Sequence, residues 1–268
     1  MTNILEEYKL WLIAQGQSEN TIDSYLTGVR NLLEEIELEK LSEKNIISYL
    51  LKLKEDKAPA TVKLRRNNII SFLKFLKKDI EIPAMVKTKY MNKLPEHFSE
   101  KEFKEKILPL IPDLFRYPLR VEAIFNFMFY TGVRRHELST LKRKNIDFEK
   151  RVVKVKGKGN KERLIGIHKK IIPLLKMYFS SEEEDISAFN CSDESIGNYC
   201  DSISKYFERF KITPHTFRHS FAMWFINKTG NPIALQRLLG HENIATTMIY
   251  TRMTDKEIID QYRKAEEE

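Results

Sequence analysis

The 268-residue chain contains only two cysteines, Cys191 and Cys200, and neither has a second CxxC pair or a histidine at zinc spacing. That scarcity excludes a disulfide scaffold, gives no indication of a metal site, and fits thiols in a reducing compartment. Long apolar runs are also missing. No window approaches the roughly 18 consecutive apolar residues of a membrane span. The opening MTNILEEYKLWL lacks the basic segment and small-residue cleavage site of a secretory signal. A cytoplasmic protein with no membrane partner is the expectation. No internal repeat is visible. Disorder is excluded by what is present, 42% hydrophobic and 11% aromatic residues. The length exceeds one domain of roughly 100 to 200 residues, so two domains are expected.

The charge balance, 46 Lys and Arg against 38 Asp and Glu, leaves +8. A basic excess favours a polyanionic partner, although many Lys-rich surfaces serve only solubility, so the position of the charges has to decide.

Residues 1–80 carry apolar residues at spacings of three and four, which predicts four amphipathic helices. Ser18 and Ser42 stand where helix caps belong, and Pro59 where a first helical residue belongs. Basic residues concentrate on the second and fourth of these helices, including Arg30, Lys63, Arg65 and Arg66. Residues 81–98, bracketed by Pro83 and Pro95 and holding Lys87 and Lys89, have no clear period and read as a linker. The second domain, 99–268, opens on a capping box, Ser99 with Glu102. A buried helix over 121–130 should end at Thr131-Gly132. Strands at 151–155 and 163–167, joined by the turn GKGNKE, predict a hairpin. Lys154, Lys156 and Lys158 fall on one face of its first strand, with Lys161 in the turn. Further helices are expected around 171–179, 195–210, 215–228 and 232–239, with a tail helix over 255–264. The acidic run 182–185 reads as a loop. The expected fold is therefore mainly α, with one small antiparallel sheet.

Four segments of the second domain gather Arg, Lys, His and Tyr: TGVRRHEL, KVKGKGNKER, HTFRH and LGHENIATTMIYTR. Taken singly, each has an ordinary reading. Arg134 could pair with Glu137, Lys158 could be a solvated turn residue, His215 and His241 could serve helix ends, and Tyr250 could be core. Together they suit phosphodiester chemistry without a metal. Guanidinium forks match phosphate oxygens and stay charged. Tyrosine can attack phosphorus, lysine can protonate a departing oxygen, and histidine can move protons near neutral pH.

On these residues the chain resembles the tyrosine recombinases, or integrases, and among them the single-chain Xer-type enzymes of bacteria and archaea. The family signature reads Arg inside TGxRxxEL, Lys inside GKGxKxR, His-x-x-Arg, His inside LGH, and Tyr nine residues later. Arg134, Lys158, His215 with Arg218, His241 and Tyr250 stand at those places in that order. Arg135 and His136 depart from the apolar and small residues common after the first Arg, and residues 180–195 are short and acidic.

The resemblance implies a two-domain DNA clamp, a helical core-binding (SAM-like) domain and a mostly helical catalytic domain. It also implies a cofactor-free reaction on double-stranded DNA by a homotetramer holding two duplexes. Tyr250 would form a 3′-phosphotyrosyl bond, and Arg134 and Arg218 would clamp the phosphate with His241 donating to it. Lys158 would act as general acid, while His215 would assist proton removal from Tyr250. Glu137 would hold Arg134, and His219 would be structural. Arg30, Lys63, Arg65, Arg66, Lys87, Lys89, Lys154, Lys156 and Lys161 are candidate DNA contacts. Dimer resolution of the Xer type is the favoured role. The alternatives are an integrase of a phage or mobile element, a type IB topoisomerase activity, and a non-catalytic DNA-binding accessory protein.

Overall fold

The computed structural model describes residues 2–84, 94–157, 162–179 and 187–251. Lys87, Lys89, Lys158, Lys161, the acidic run 182–185 and the expected tail helix lie outside the described residues. The chain divides into two compact units, Met1–Met91 and Asn92–Glu268. Among the described residues, no helix is long and apolar enough to cross a membrane.

The first unit holds the four expected helices: α1 (Thr2–Ala14), α2 (Glu19–Glu35), α3 (Glu43–Asp56) and α4 (Pro59–Phe75). Ser42 caps α3 by accepting from the Asn45 N–H, and Pro59 opens α4 as a first-turn residue. The helices bury Tyr8, Leu12, Val29, Leu32, Ile46, Leu50, Ile69 and Phe72 against one another. Ile82 joins this core. Arg66 fixes the chain there, donating from Nε to the Pro83 carbonyl at 2.8 Å and from Nη2 to the Ile82 carbonyl. The start of the segment read as a linker is thus part of the first unit.

Helices α2 and α4 approach closely because Gly28 faces Asn68. A Cβ on Gly28 would stand 2.3 Å from the Asn68 amide nitrogen, which donates to the Ser24 carbonyl at 2.9 Å.

The second unit begins with residues that also belong to its core. Phe98 is buried, its N–H donates to Ser220 Oγ at 3.0 Å, and Arg209 donates to the His97 carbonyl. Ser99 and Glu102 form the expected capping box, and a helical stretch follows: α5 (Glu100–Glu102), a π turn, a 3-10 turn and α6 (Ile111–Leu114). The central element is α7 (Pro118–Thr131), in which Val121 and every residue from Ala123 to Thr131 is buried. A helix apolar on all sides has to be surrounded. Phe103 stacks on Phe129 with ring centroids 4.6 Å apart, and Phe125 meets Phe217 at 4.9 Å.

Around α7 lie α8 (Arg135–Ser139), α9 (Ile172–Tyr178), α10 (Asp193–Ser204), α11 (Pro214–Thr229), α12 (Pro232–Leu239) and the single turn α13 (Ala245–Met248). Helix α10 stops at Ser204, short of the expected Phe210. The sheet has three antiparallel strands, β1 (Ile146–Asp147), β2 (Val152–Lys156) and β3 (Glu162–Gly166), in the order β1-β2-β3. The expected hairpin is β2-β3, with Val153 opposite Ile165 and Lys156 opposite Glu162. Strand β1 was not foreseen, because two residues are too few to show alternation.

Gly28→Ala should force α2 and α4 apart and cost about 1–3 kcal/mol. Trp11 and Trp224 are the two tryptophans of the chain. Unfolding followed by Trp11 fluorescence in a Trp224→Phe background reads this loss in the first unit, and an unchanged midpoint would contradict the close approach.

Candidate active site

Two helix ends and one buried carboxylate build the site. Helix α7 ends at Gly132 and α12 at Gly240, both left-handed, with φ of 63° and 62°. Glycine carries that backbone without a Cβ penalty. At Gly132 there is no alternative, since a Cβ would stand 2.3 Å from the Phe221 ring. The last carbonyls of a helix lack intrahelical partners. Here they receive arginines. Arg218 on α11 donates from Nη1 to the Gly132 carbonyl at 2.7 Å and from Nη2 to the Leu239 carbonyl at 2.6 Å. Arg134 donates from Nη2 to the Gly240 carbonyl at 2.8 Å.

Glu137, 4% exposed, ties these ends together. It accepts the Arg134 backbone N–H at 2.8 Å and Arg134 Nη1 at 2.9 Å. Arg163 on β3 adds a bidentate pair at 2.6 and 2.9 Å, and its Nε donates to the Leu238 carbonyl at 2.8 Å. Burial alone would raise the Glu137 pKa, but the bonds from Arg163 and Arg134 outweigh it and hold the carboxyl below the ordinary glutamate range. Glu137 holds Arg134, as the sequence suggests. Arg163 is a residue the sequence reading left without a role. Its signal was the strand period: position 163 shares a face with the buried Ile165, and an inward arginine requires a buried partner.

Helix α11 is started by Thr213, whose hydroxyl accepts the Thr216 N–H at 3.1 Å, with Pro214 in its first turn. Residues 215, 218 and 219, three and four apart, share one face. His215, Arg218 and Arg134 line one cleft of about 310 Å³ with Arg135 and Lys211. A second cleft of about 700 Å³ is lined by Arg134, Arg163, Arg237, Gly240, His241 and Gly157, so Arg134 borders both. Burial pushes Arg218 down to about 9, with Arg134's charge adding, and it stays charged at neutral pH. His215 is lowered by burial and then by Arg218, Arg135 and Arg134. His241 is pushed down to about 4 by burial and then by Arg218 and Arg134, with His219 and Arg163 adding, and its Nδ1 meets Thr247 Oγ1 at 2.9 Å. Both imidazoles are neutral at pH 7. Each guanidinium has five N–H groups. The described bonds use two each on Arg134 and Arg218, which leaves N–H groups for an anion.

Tyr250 is 4% exposed, and burial pushes its phenol up to about 12 against the opposing charge of Arg218. Its hydroxyl meets His219 Nδ1 at 2.5 Å. The sequence reading gave His215 a part in proton removal and left His219 as structural; in the structure the described hydrogen-bond partner of the phenol is His219. The signal for it was its place on the His215–Arg218 face of the helix.

Of the candidate DNA contacts, Arg30 and Lys63 are exposed on α2 and α4, while Arg65 and Arg66 are half-buried there. Lys154 and Lys156 are exposed on β2, and Lys154 Nζ meets Glu162 at 2.6 Å. None of these six touches the two clefts, and the residues of the first unit form a separate set.

Glu137→Gln should destabilise the fold by about 3–5 kcal/mol, because Arg134 and Arg163 keep buried charge without a counter-charge. The folded-state pKa of Glu137 lies below its unfolded value, so the stabilisation is present above the unfolded value and is lost as pH falls through the folded one. Urea unfolding should therefore show a large gap between the two proteins near pH 7 and a smaller one near pH 3.

Residues 101–257 match the model of the phage integrase family. The chain is 30% identical over 278 residues to tyrosine recombinase XerA of Thermococcus onnurineus, covering 100% of this chain and 95% of that protein. It is 29% identical to tyrosine recombinase XerC of Myxococcus xanthus, covering 99% and 98%. Its fold is similar to the crystal structure of the XerH site-specific recombinase bound to palindromic difH substrate in a post-cleavage complex. There the TM-score is 0.71 and the identity 23%, over 92% of this chain and 80% of that one. The match over residues 101–257, with 30% identity to a tyrosine recombinase along the whole chain, means that the chain belongs to the phage integrase family of tyrosine recombinases, enzymes that cleave and rejoin DNA.

Proposed function

We propose that this chain is a site-specific recombinase acting on double-stranded DNA through a 3′-phosphotyrosyl intermediate. The observation that carries the reading is the convergence of Arg134 and Arg218, fixed by carbonyls of two helix ends, on a cleft that also holds His215. Guanidiniums held in advance need no reorganisation when charge gathers on phosphorus.

The phenol oxygen of Tyr250 attacks the scissile phosphorus and the bond from phosphorus to the 5′ oxygen breaks. The phenol proton leaves to a base, for which His215 in the cleft is the candidate, and the departing oxygen takes a proton from Lys158. One phosphodiester replaces another, so no nucleotide cofactor is consumed. Arg134 and Arg218 bind the non-bridging oxygens, and His241, bordering the adjoining cleft, donates to the same phosphate. Glu137 and Arg163 position Arg134.

Both units contribute to DNA binding, the first through Arg30, Lys63, Arg65, Arg66, Lys87 and Lys89, the second through Lys154, Lys156 and Lys161. The relatives named XerA and XerC support a Xer-like role in dimer resolution. The XerH complex with difH supports a duplex partner. A homotetramer on two duplexes, in the cytoplasm, is the working assembly.

The decisive experiment uses a nicked duplex selected from a random-sequence pool by binding to the full chain. Tyr250→Phe removes one oxygen, so it should bind this DNA as tightly as the wild type and form no covalent adduct. An adduct in that variant would unseat Tyr250 as nucleophile. Lys158→Ala should slow cleavage of ordinary DNA by about 10²–10⁴-fold. It should cleave at nearly the wild-type rate when the leaving 5′ oxygen is replaced by sulfur, since a thiolate departs without a proton. Failure of the sulfur substrate to restore the rate would make Lys158 a phosphate-binding residue instead.

A further inference from the structure

The nucleophile assigned above does not line the cleft it would have to enter. Two clefts border Arg134, one with His215 and Arg218 and one with Arg163 and His241, and Tyr250 lines neither. Its ring is instead packed with Phe221, Ala222, Ile226, Leu235 and Leu239 in a small core of its own. Among the described residues, its hydroxyl has one hydrogen-bond partner, His219 Nδ1.

The segment that carries Tyr250 is lightly built. Helix α13 is a single turn, Tyr250 and Thr251 follow it with N–H groups bonded three residues back, and Ile244 and Met248 are exposed. A short turn at the surface, anchored chiefly through the Tyr250 ring and Thr247, can move as a unit when those anchors release. The contact that singles out the reacting atom is the one to His219.

We propose that His219 is a positioning residue that holds Tyr250 in a resting pose, and that strand cleavage requires this hydrogen bond to open so that the phenol can enter the cleft beside Arg134 and Arg218. The inference rests on the reading of Tyr250 as the nucleophile.

A competing role for His219, as the base that takes the phenol proton, is disfavoured by the surroundings. Burial, with His215 and Arg218 adding, lowers His219 to about 4, while burial raises Tyr250 to about 12. The proton stays on the phenol, and the pair is a hydrogen bond between a neutral imidazole and a neutral hydroxyl. His219 therefore restrains the hydroxyl without activating it.

The test pairs two variants of the full chain. His219→Phe keeps an aromatic ring against Tyr250 but removes the hydrogen-bonding nitrogen. His219→Asn can place an amide oxygen or nitrogen where Nδ1 stood and restore a hydrogen bond to the phenol. Two readouts are taken: adduct formation on the nicked duplex, and nitration of Tyr250 by tetranitromethane, followed by peptide mass spectrometry. In the wild type, Tyr250 should nitrate far more slowly than Tyr117 and Tyr206, which are 53% and 59% exposed. His219→Phe should nitrate faster at Tyr250 and form adduct about three- to tenfold faster, the shift one buried hydrogen bond can hold back. His219→Asn should return both rates toward the wild type.

Adduct formation by His219→Phe at or below the wild-type rate overturns the latch, and so does faster cleavage with unchanged nitration. Nitration of wild-type Tyr250 as fast as Tyr117 overturns it without any variant, which covers a His219→Phe protein that fails to fold. If Tyr250→Phe still forms adduct, the nucleophile reading fails, while the nitration data continue to report on the resting pose alone.

Discussion

A carboxylate with almost no access to water cannot remain ionised without donors, and Glu137 receives four hydrogen bonds from two arginines. Those arginines arrive from places distant in sequence: Arg134 from the start of α8 and Arg163 from the edge strand β3. Glu137 thus joins the sheet to the end of the buried helix. Through the Leu238 carbonyl, Arg163 extends the connection to α12. Remove the carboxylate, and the two guanidiniums repel each other in a medium of low dielectric constant. The cleft depends on that one neutralisation.

The backbone completes what Glu137 begins. The carbonyls of Gly132, Leu239 and Gly240 present partial negative charge at the ends of α7 and α12, the polarity that favours cations there. They hold Arg218 without quenching its charge, as a carboxylate would, and give Arg134 a second anchor beside Glu137. Burial first, and the positive field of the arginines after it, explain why His215 and His241 lose rather than gain affinity for protons. Neutral imidazoles next to guanidiniums that outnumber their carboxylate suit a site that must receive a phosphate diester and pass protons near neutral pH.

Much of this was legible in the sequence, and the remainder failed for a common physical reason. The four helices of the first unit, the capping box at Ser99 and Glu102, the glycine end of α7 and the β2-β3 hairpin are local patterns, written within a few residues. The spacing from His241 to Tyr250 is local too. Arg163 could be placed on a strand but not given its partner, because Glu137 lies 26 residues away and the pairing exists only after the sheet docks. His219 carries no local sign of its contact, because the phenol it touches is 31 residues distant and meets it only once α13 docks on α11. Arg66 read as a candidate DNA contact, yet its Nε and Nη2 also donate to carbonyls that return from beyond the end of α4.

The bond from the Phe98 N–H to Ser220 Oγ has a mechanical meaning. Ser220 follows His219 directly and lies two positions from Arg218, on the one helix that carries both. Strain at Phe98 reaches α11 through this bond and through the Phe217 ring, 5.0 Å from that of Phe98, and it reaches α7 through Phe129 at 5.8 Å. The rod that keeps the arginine and the histidine in register therefore shares its load with the buried helix beside it.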